Sequence, residues 1–511
     1  MKILNYLLSI AMICSTANAF AQSAGIDLTF GEDGIATSDI NGKFDDATDL
    51  VVLPDGDILV AGNSMAGSHY EFMVSRFNSD GSVDESFGEN GNATIEFSTF
   101  HCLVKAMAVQ ADGKIVLVGN YDNNYYTDPV IARFNSDGTV DTSFGGTGFI
   151  KLDLSAQFDD FNDVIIQPDG KILVAGSSFK YGTDDFLLVR FLENGSFDED
   201  FGNDGFVYTD FSTSQDVIYS VLLQADKKIV VSGYSGPGSF YFAAARYFEN
   251  GLLDPSFSID GKMTIGSGST ADKCFGMAMQ SDSSFILVGN HHSGAIDQHM
   301  IARIDKFGIT DITFGTSGIT YINSAAASDL INDVIIPADD KIILCGVRDG
   351  NGAFIRLSKN GNIDNTFGTD GIITPDTNTG ALSLNAIALL DDESVIACGS
   401  ANQDDYTDFM LMKITIDVSS AINNPANSIQ EIKLFPNPAV DQIQIEMISG
   451  ANEIQTLLIT DINGKMVYHE EIRSSTESNI IHLPETLKSG TYFLTAITKN
   501  GNSTSAFQVM K

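Results

Sequence analysis

Residues 141–145 read Asp-Thr-Ser-Phe-Gly, and the Phe-Gly pair that ends this stretch recurs at an almost constant interval along the 511-residue chain. The pair, replaced by Phe-Ser in one copy, begins at Phe30, Phe87, Phe144, Phe201, Phe257, Phe314 and Phe367. Successive copies lie 57, 57, 57, 56, 57 and 53 residues apart. Self-similarity at a fixed period of this length indicates a repeat architecture.

A single repeat unit predicts four short strands. Apolar runs at Val104–Gln110, Ile115–Gly119, Val130–Asn135 and Phe149–Leu154 are separated by turn-forming residues and show no helical periodicity. Such a unit is an antiparallel meander, and its repetition around an axis gives a β-propeller. The first Phe-Gly pair and its strand precede the first group of three strands, and the last group lacks a fourth. We therefore predict seven blades, with the N-terminal strand closing the ring.

An arginine recurs at one position of six repeats and is followed eight residues later by an aspartate. The pairs are Arg76 and Asp84, Arg133 and Asp141, Arg190 and Asp198, Arg246 and Asp254, Arg303 and Asp311, and Arg356 and Asp364. A pair that recurs in nearly every blade favours a structural ion pair over an anion-binding site.

The chain begins with the pattern of an export signal. Lys2 precedes an apolar stretch, and Ala19-Phe20-Ala21 supplies a small-residue cleavage site, so residues 1–21 are predicted to be a signal peptide. No later stretch has the length and apolarity of a transmembrane helix. A net charge of −39 argues against nucleic acid and anionic lipid as partners.

The four cysteines that follow the predicted signal peptide are predicted to be free and buried. They are Cys102, Cys274, Cys345 and Cys398. The last two occupy a repeat position that carries Ala, Val or Ser in other units, which is a place for a small buried side chain.

The repeats resemble the delta-60 repeat of exported bacterial proteins. The resemblance rests on Pro-Asp-Gly-Lys-Ile-Leu-Val-Ala-Gly at residues 168–176 and on the Asp-Thr-Ser-Phe-Gly ending at 141–145. It implies a propeller-like array, and the family assigns no catalytic residues that could be carried over to this chain. We predict an all-β fold in which the propeller spans residues 22–416.

The C-terminal part resembles a type A sorting domain of type IX secretion. A linker is predicted at 417–431, and residues 432–511 carry Phe-Pro-Asn-Pro at 435–438, Asn-Gly-Lys at 463–465 and Ser-Gly-Thr-Tyr at 489–492. The resemblance implies a small β-sandwich that the export machinery of a Bacteroidota cell, a Gram-negative bacterium, recognises. The protein is then expected to be secreted or held on the outer cell surface, as a monomer.

Ligand-binding residues are expected in loops that break the repeat, on the face that carries the loop after strand two and the loop after strand four. Aromatic side chains beside acids and amides suit contact with a glycan or a peptide. The candidates are Tyr121, Tyr125, Tyr126, Tyr181, Tyr234, Phe240, Tyr241 and Tyr406.

Catalytic and metal-binding patterns are weak. The sequence has no Gly-x-Ser-x-Gly, His-Glu-x-x-His or Cys-x-x-Cys motif. Asp49, Asp163 and Asp333 share one repeat position, which favours a polar channel lining first and an acid/base pair second. His291, His292 and His299 with Asp297 on one loop are a weaker zinc alternative. The calcium candidates, Asp122–Asp128 and Asp404-Asp405, are better explained as solvated loops.

The sequence therefore favours an exported propeller that binds an extracellular glycan or protein without a cofactor and without chemistry of its own. One alternative is a polysaccharide-active hydrolase or lyase that uses carboxylates at the channel mouth. Another is a structural component of the cell surface or matrix.

Overall fold

A computed structural model of the chain describes residues 24–38, 42–180, 182–211, 215–266, 271–293, 296–323, 329–375, 382–391, 394–403, 406–416, 432–435, 439–447, 454–461, 466–471, 480–483, 487–498 and 501–509. All regular secondary structure in these residues is β-strand, so the fold is all-β. Within these ranges the chain forms no helix that could cross a membrane. Two compact units, Met1–Asp417 and Val418–Lys511, are described separately below.

Seven antiparallel sheets make up the first unit, and each is a meander whose strands run from the inside to the outside. The innermost strands are β3 Asp45–Val52, β7 Cys102–Val109, β11 Asp159–Ile166, β15 Gln215–Leu223, β19 Ala271–Met279, β23 Leu330–Ile335 and β27 Leu382–Leu389. The second strands are β4 Ile58–Ala66, β8 Ile115–Asp122, β12 Ile172–Lys180, β16 Ile229–Gly236, β20 Phe285–Ser293, β24 Ile342–Arg348 and β28 Ser394–Gln403.

The third and outermost strands complete the sheets, which are called blades one to seven in chain order. The third strands are β5 His69–Phe77, β9 Thr127–Phe134, β13 Thr183–Phe191, β17 Tyr241–Tyr247, β21 Ile296–Ile304, β25 Asn351–Leu357 and β29 Tyr406–Thr415. The outermost strands of blades one to six are β6 Asn92–Ile95, β10 Phe149–Lys151, β14 Phe206–Thr209, β18 Lys262–Ile265, β22 Ile319–Asn323 and β26 Ile372–Ile373.

The N-terminal segment completes blade seven, as predicted. Its strands β1 Gly25–Ile26 and β2 Ile35–Ser38 both pair antiparallel with β29. Each innermost strand contacts the innermost strand of the next blade, and β27 contacts β3. The seven blades therefore form a closed ring, which confirms the seven-bladed propeller and leaves no blade unpaired at the junction between the chain ends.

The recurring phenylalanine, arginine and aspartate hold neighbouring blades together. In blade two, the Arg133 guanidinium lies 4.4 Å from the centre of the buried Phe144 ring and Nε donates to Asp141 Oδ2 at 2.8 Å. Nη1 of the same arginine donates to the backbone carbonyl of Glu193 in blade three. A Cβ on Gly195, which has φ +91°, would lie 2.7 Å from the Phe144 ring, so the turn of the next blade requires glycine here. We call this arrangement the blade clip.

The second unit consists of two sheets. One contains β30 Ile432–Phe435, β31 Gln442–Met447 and β34 Ile480–His482, and the other contains β32 Ile454–Asp461, β33 Met466–Glu471, β35 Gly490–Thr498 and β36 Gly501–Val509. Ile443 from the first sheet and Ile459 and Leu494 from the second belong to one buried cluster. Two sheets with a shared apolar core are the arrangement expected of a small β-sandwich.

The hairpins between second and third strands differ from the prediction. The sequence predicts a loop over Asn120–Pro129, whereas β8 continues to Asp122 and β9 begins at Thr127. The residues are polar, but backbone pairing rather than apolar character sets the length of a hairpin ladder. The four cysteines are free and buried, which confirms that prediction.

Candidate functional site

The innermost strand of every blade carries a β-bulge at the same position. In blade one, Ala47 pairs with Gly62 and Asp49 with Ala61, so Thr48 is an additional residue in the ladder. The seven bulge residues are Thr48, Lys105, Asn162, Tyr219, Phe275, Asn332 and Asn385. A bulge twists the strand and redirects the side chains at and beside it.

These bulges build a pocket on the ring axis. The cavity has a volume of about 350 Å³ and is lined by the bulge residue and the following residue of every blade. The bulge residues lie near the middle of the innermost strands. The starts of these strands lie at the end of the ring that also carries the hairpins between second and third strands. We call the cavity the axial pocket and this end the loop face.

Asp49, Asp163 and Asp333 lie in the lining of the axial pocket, and each bridges two blades. Asp163 Oδ1 accepts the backbone N–H of Val164 and Oδ2 accepts that of Val221 in blade four, both at 2.7 Å. Asp49 bonds in the same way to Leu50 and to Met107 of blade two, and Asp333 to Val334 and to Ile387 of blade seven. Both oxygens of each carboxylate are therefore committed to backbone donors.

Burial raises the pKa of all three carboxyl groups. The pKa of Asp49 rises to about 8, that of Asp163 to about 7 and that of Asp333 to about 6. Repulsion from Asp163 and Asp333 adds to the burial effect at Asp49, whereas the backbone N–H bonds act in the opposite direction. The deep part of the pocket therefore carries little negative charge at acidic pH and gains charge towards pH 8.

Aromatic side chains form one wall of the axial pocket. The Tyr219 and Phe275 rings meet edge to face with centroids 5.1 Å apart. Tyr234 lies 5.9 Å from Tyr219, and Phe240 lies 4.8 Å from Tyr234. Of the predicted residues, Tyr234 thus packs beside the pocket-lining ring of Tyr219, and Phe240 packs beside Tyr234. The sequence had not indicated Tyr219 or Phe275 as ligand-binding residues.

Lys105 is the cation in the pocket lining. Its charge acts on Asp46 and on Asp160, although burial raises the pKa of both carboxyl groups overall. Asp160 Oδ1 also accepts from Asn120 Nδ2 at 2.7 Å and from Thr127 Oγ1 at 3.0 Å. One lysine between two acids gives the pocket rim both hydrogen-bond donors and acceptors.

Further aromatic pairs stand at blade junctions on the loop face. Tyr126 of blade two meets Phe158 of blade three at 5.3 Å, and Tyr406 of blade seven meets Phe44 of blade one at 5.1 Å. Both pairs use equivalent positions of the repeat and are partly exposed. Tyr125 is 79% exposed beside the first pair.

The remaining predicted aromatic residues lie elsewhere. Tyr121 is half-buried, with Lys151 Nζ 4.2 Å from its ring centre. Tyr241 lines a different cavity of about 600 Å³ beside β18, together with Phe211 and Ile309. Tyr181 falls outside the described residues.

The structure does not gather the predicted zinc ligands. His291 and His292 are on β20 and His299 is on β21, so they belong to a strand hairpin rather than a loop. His291 Nδ1 is 2.5 Å from Asp272 Oδ1, whereas His299 is buried near Asp329 of blade six. Neighbouring strand residues project to opposite faces, so His291 lies on the other face of the hairpin from His292 and His299.

The predicted calcium loops differ in how much of them is described. In Asp122–Asp128, Asn123 Nδ2 donates to Asp128 Oδ2 at 2.6 Å, so an amide already occupies that carboxylate. Asp404 and Asp405 lie outside the described residues.

Reasoning from sequence missed the bulge residues, including Lys105, Tyr219 and Phe275. A signal was present, since one position in each innermost strand changes from Thr to Lys, Asn, Tyr or Phe among blades while the residue before it stays apolar. This variable position was not predicted as a binding site, because binding residues were expected in loops and the position lies inside a strand.

Two family profiles match the chain. Residues 53–87, 110–144, 167–201, 224–257 and 338–367 match the domain of unknown function DUF5122, described as a beta-propeller. Residues 433–510 match the secretion system C-terminal sorting domain. The chain therefore carries DUF5122 beta-propeller repeats followed by a sorting domain, which indicates export by type IX secretion to the cell surface or beyond it.

Solved structures align with the chain at low sequence identity. A catalytically inactive virginiamycin B lyase from Staphylococcus aureus with quinupristin is 14% identical with a TM-score of 0.44, covering 74% of this chain and 98% of its own. The polysaccharide lyase Uly1 is 12% identical with a TM-score of 0.44, covering 78% and 98%. No curated protein matches this chain.

Proposed function

We propose that this protein is an exported, non-catalytic binding module that holds an extracellular glycan on its loop face, with one sugar unit in the axial pocket. The observation that carries the proposal is the pocket itself. Its volume of about 350 Å³ suits a single sugar ring, and its wall pairs the Tyr219 and Phe275 rings with amides and a lysine. Sugars present apolar ring faces and hydroxyl edges, which such a mixture recognises.

The charges around the pocket favour a neutral sugar over an anionic one. Lys105 is flanked by Asp46 and Asp160, so its charge is largely balanced. The chain as a whole carries a net charge of −39, which repels polyanions. The exposed Tyr126–Phe158 and Tyr406–Phe44 pairs then supply stacking positions for further units of the same glycan.

Binding is better supported than hydrolysis or elimination. An acid/base pair needs carboxyl groups that are able to reach the substrate. Asp49, Asp163 and Asp333 instead use both oxygens for backbone N–H groups of two blades, at 2.7 to 3.0 Å. We infer that these acids maintain the ring rather than perform chemistry.

The export route is part of the proposal. A signal peptide at residues 1–21 would direct the chain across the inner membrane. The sorting domain at 432–511 would then engage the type IX machinery of a Bacteroidota cell. The propeller would be released or displayed on the outer surface, where it would meet polymeric glycans.

Affinity electrophoresis of the mature full chain in gels containing neutral polysaccharides tests the proposal. We expect retardation by at least one polymer, lost in Tyr219→Ala and Phe275→Ala and retained in Phe248→Ala, a 40% exposed ring in a turn at the opposite face. Retardation that persists in the pocket variants would refute the pocket assignment. Release of soluble products that stops on replacing Asp49, Asp163 and Asp333 would establish the enzymatic alternative.

A further inference from the structure

Three aspartates converge where blades three and four meet on the loop face. Asp185 lies near the start of β13, Asp210 follows β14, and Asp216 lies at the start of β15. Each contributes a carboxylate oxygen, and these oxygens all lie within 4.8 Å of one another. Asp185 and Asp216 are buried, whereas Asp210 is exposed. We call this group the aspartate trio.

Asp185 has little to compensate for its burial. It is 2% exposed, and its closest hydrogen-bond donor is Thr183 Oγ1 at 3.5 Å. Burial, followed by repulsion from Asp210 and Asp216, raises its pKa to about 6. A buried carboxylate among like charges is costly unless a cation or hydrogen bonds balance it.

A second, independent observation concerns Ser178. It lies directly opposite Asp185 in the β12–β13 ladder, so both side chains project from the same face of blade three. Ser178 is 1% exposed, and its Oγ has no hydrogen-bond partner. A buried hydroxyl without a partner beside clustered carboxylates indicates a bound ligand that hydroxyl and carboxylate oxygens can both coordinate.

The equivalent place in blade two is filled by protein groups. Tyr121 lies opposite Asp128 there, as Ser178 lies opposite Asp185. The Tyr121 phenol and the Asn123 amide both interact with the Asp128 carboxylate. Blade three replaces the large tyrosine with a serine and so leaves space beside its acids. Among the described residues, the acids of blade two do not form a convergent group of this kind.

From this comparison we propose that the aspartate trio, with the Ser178 hydroxyl, is a binding site for a hard divalent cation, with Ca²⁺ as the natural occupant. All donors are oxygens, which hard cations prefer, and Ca²⁺ tolerates the irregular geometry of donors from two blades. Exposed Asp210 leaves an entry from solvent. An exported protein meets Ca²⁺ at concentrations that suit affinities of about 10⁻⁴ to 10⁻³ M.

The cation would join blade three to blade four at a position where blade two relies on side chains. This role is separate from sugar binding in the axial pocket. Loss of glycan binding and loss of the cation site can therefore be told apart, since each has its own variants.

The test is thermal unfolding of the mature full chain in chelator and in 10 mM CaCl₂ (about tenfold or more above the expected Kd), with calorimetric titration of Ca²⁺ alone. We expect Ca²⁺ to raise the unfolding temperature of the wild type and to bind at one saturable site. Asp185→Asn and Ser178→Tyr should lose both effects. Asp128→Asn, at the equivalent position of blade two, should keep them.

Two outcomes would overturn the proposal. One is a wild type that shows neither a Ca²⁺-dependent shift nor saturable binding. The other is an Asp185→Asn variant whose shift equals that of the wild type, which would place the cation elsewhere. Misfolding does not blur the result, because Asp185→Asn removes like-charge repulsion and should unfold in chelator at no lower a temperature than the wild type.

Discussion

At the scale of single residues, the propeller depends on side chains that each serve two blades. Arg190 illustrates this: its Nε donates to Asp198 at 2.6 Å, its guanidinium lies 4.3 Å from the Phe201 ring centre, and Nη1 donates to the Glu249 carbonyl of the next blade at 2.5 Å. The Phe201 ring shields the guanidinium from water, and the Asp198 carboxylate and the Glu249 carbonyl accept its hydrogen bonds. The recurring arginine thus makes contacts that support the structural role predicted for it.

Removing one clip arginine should weaken the ring strongly. Arg190→Ala removes the guanidinium from the 4% exposed Asp198 carboxylate, which keeps Lys171 Nζ at 3.1 Å, and from the Glu249 carbonyl. We expect a loss of about 3 kcal/mol in the free energy of unfolding. Arg76→Ala is the matched control, because the Arg76 side chain is 22% exposed and its partners Asp57 and Asp84 are also partly exposed. It should cost less than about 1 kcal/mol. Urea unfolding followed by circular dichroism measures both, and equal losses would contradict the clip.

The bridging aspartates predict a pH dependence. Asp49, Asp163 and Asp333 have pKa values of about 8, 7 and 6 in the folded chain, against 3.8 as the ordinary value. The folded state therefore binds more protons than the unfolded state between about pH 4 and 8. The free energy of unfolding should fall as the pH rises through this window. A variant with all three changed to Asn should show a shallower slope, and an unchanged slope would disprove the assignment.

At the scale of elements, the sequence predicts much of the blade and little of its inner edge. The Asp-Gly turns and the apolar runs locate the strands, because turn residues and alternating burial are local properties. The bulges at Thr48 and at the six equivalent residues do not follow from the local sequence. They depend on how an inner strand must twist to fit around the axis, so the lining that they create escaped prediction.

The N-terminal strand offers a test of ring closure. Phe30 is 1% exposed, its ring lies against Gly81 of blade one, and Gly31 N donates to the Asp80 carbonyl at 2.9 Å. Phe30→Ala should lower the free energy of unfolding by about 3–5 kcal/mol, as a large-to-small core substitution. Phe144→Ala, the same clip within continuous blades, should cost a similar amount. A negligible effect at Phe30 alone would show that the N-terminal segment does not secure the ring.

At the scale of the whole molecule, a rigid ring places variable residues on a repetitive frame. The period of the Phe-Gly pair was sufficient to predict seven blades, and the sorting domain was predicted from its own motifs. The ligand was not predictable in the same way, because the axial pocket collects two residues from each of seven blades. No segment of sequence displays such a set together.

The chain contains no tryptophan, which permits a direct measurement at the axial pocket. In Phe275→Trp, the single indole replaces a ring of the pocket wall and reports on ligands that stack there. We expect titration with a neutral oligosaccharide from a polymer that retards the protein to change the tryptophan emission saturably, and Asn332→Ala in the adjacent blade six to weaken the response. Unchanged emission while the polymer still retards the protein would place glycan binding outside the pocket and contradict the account.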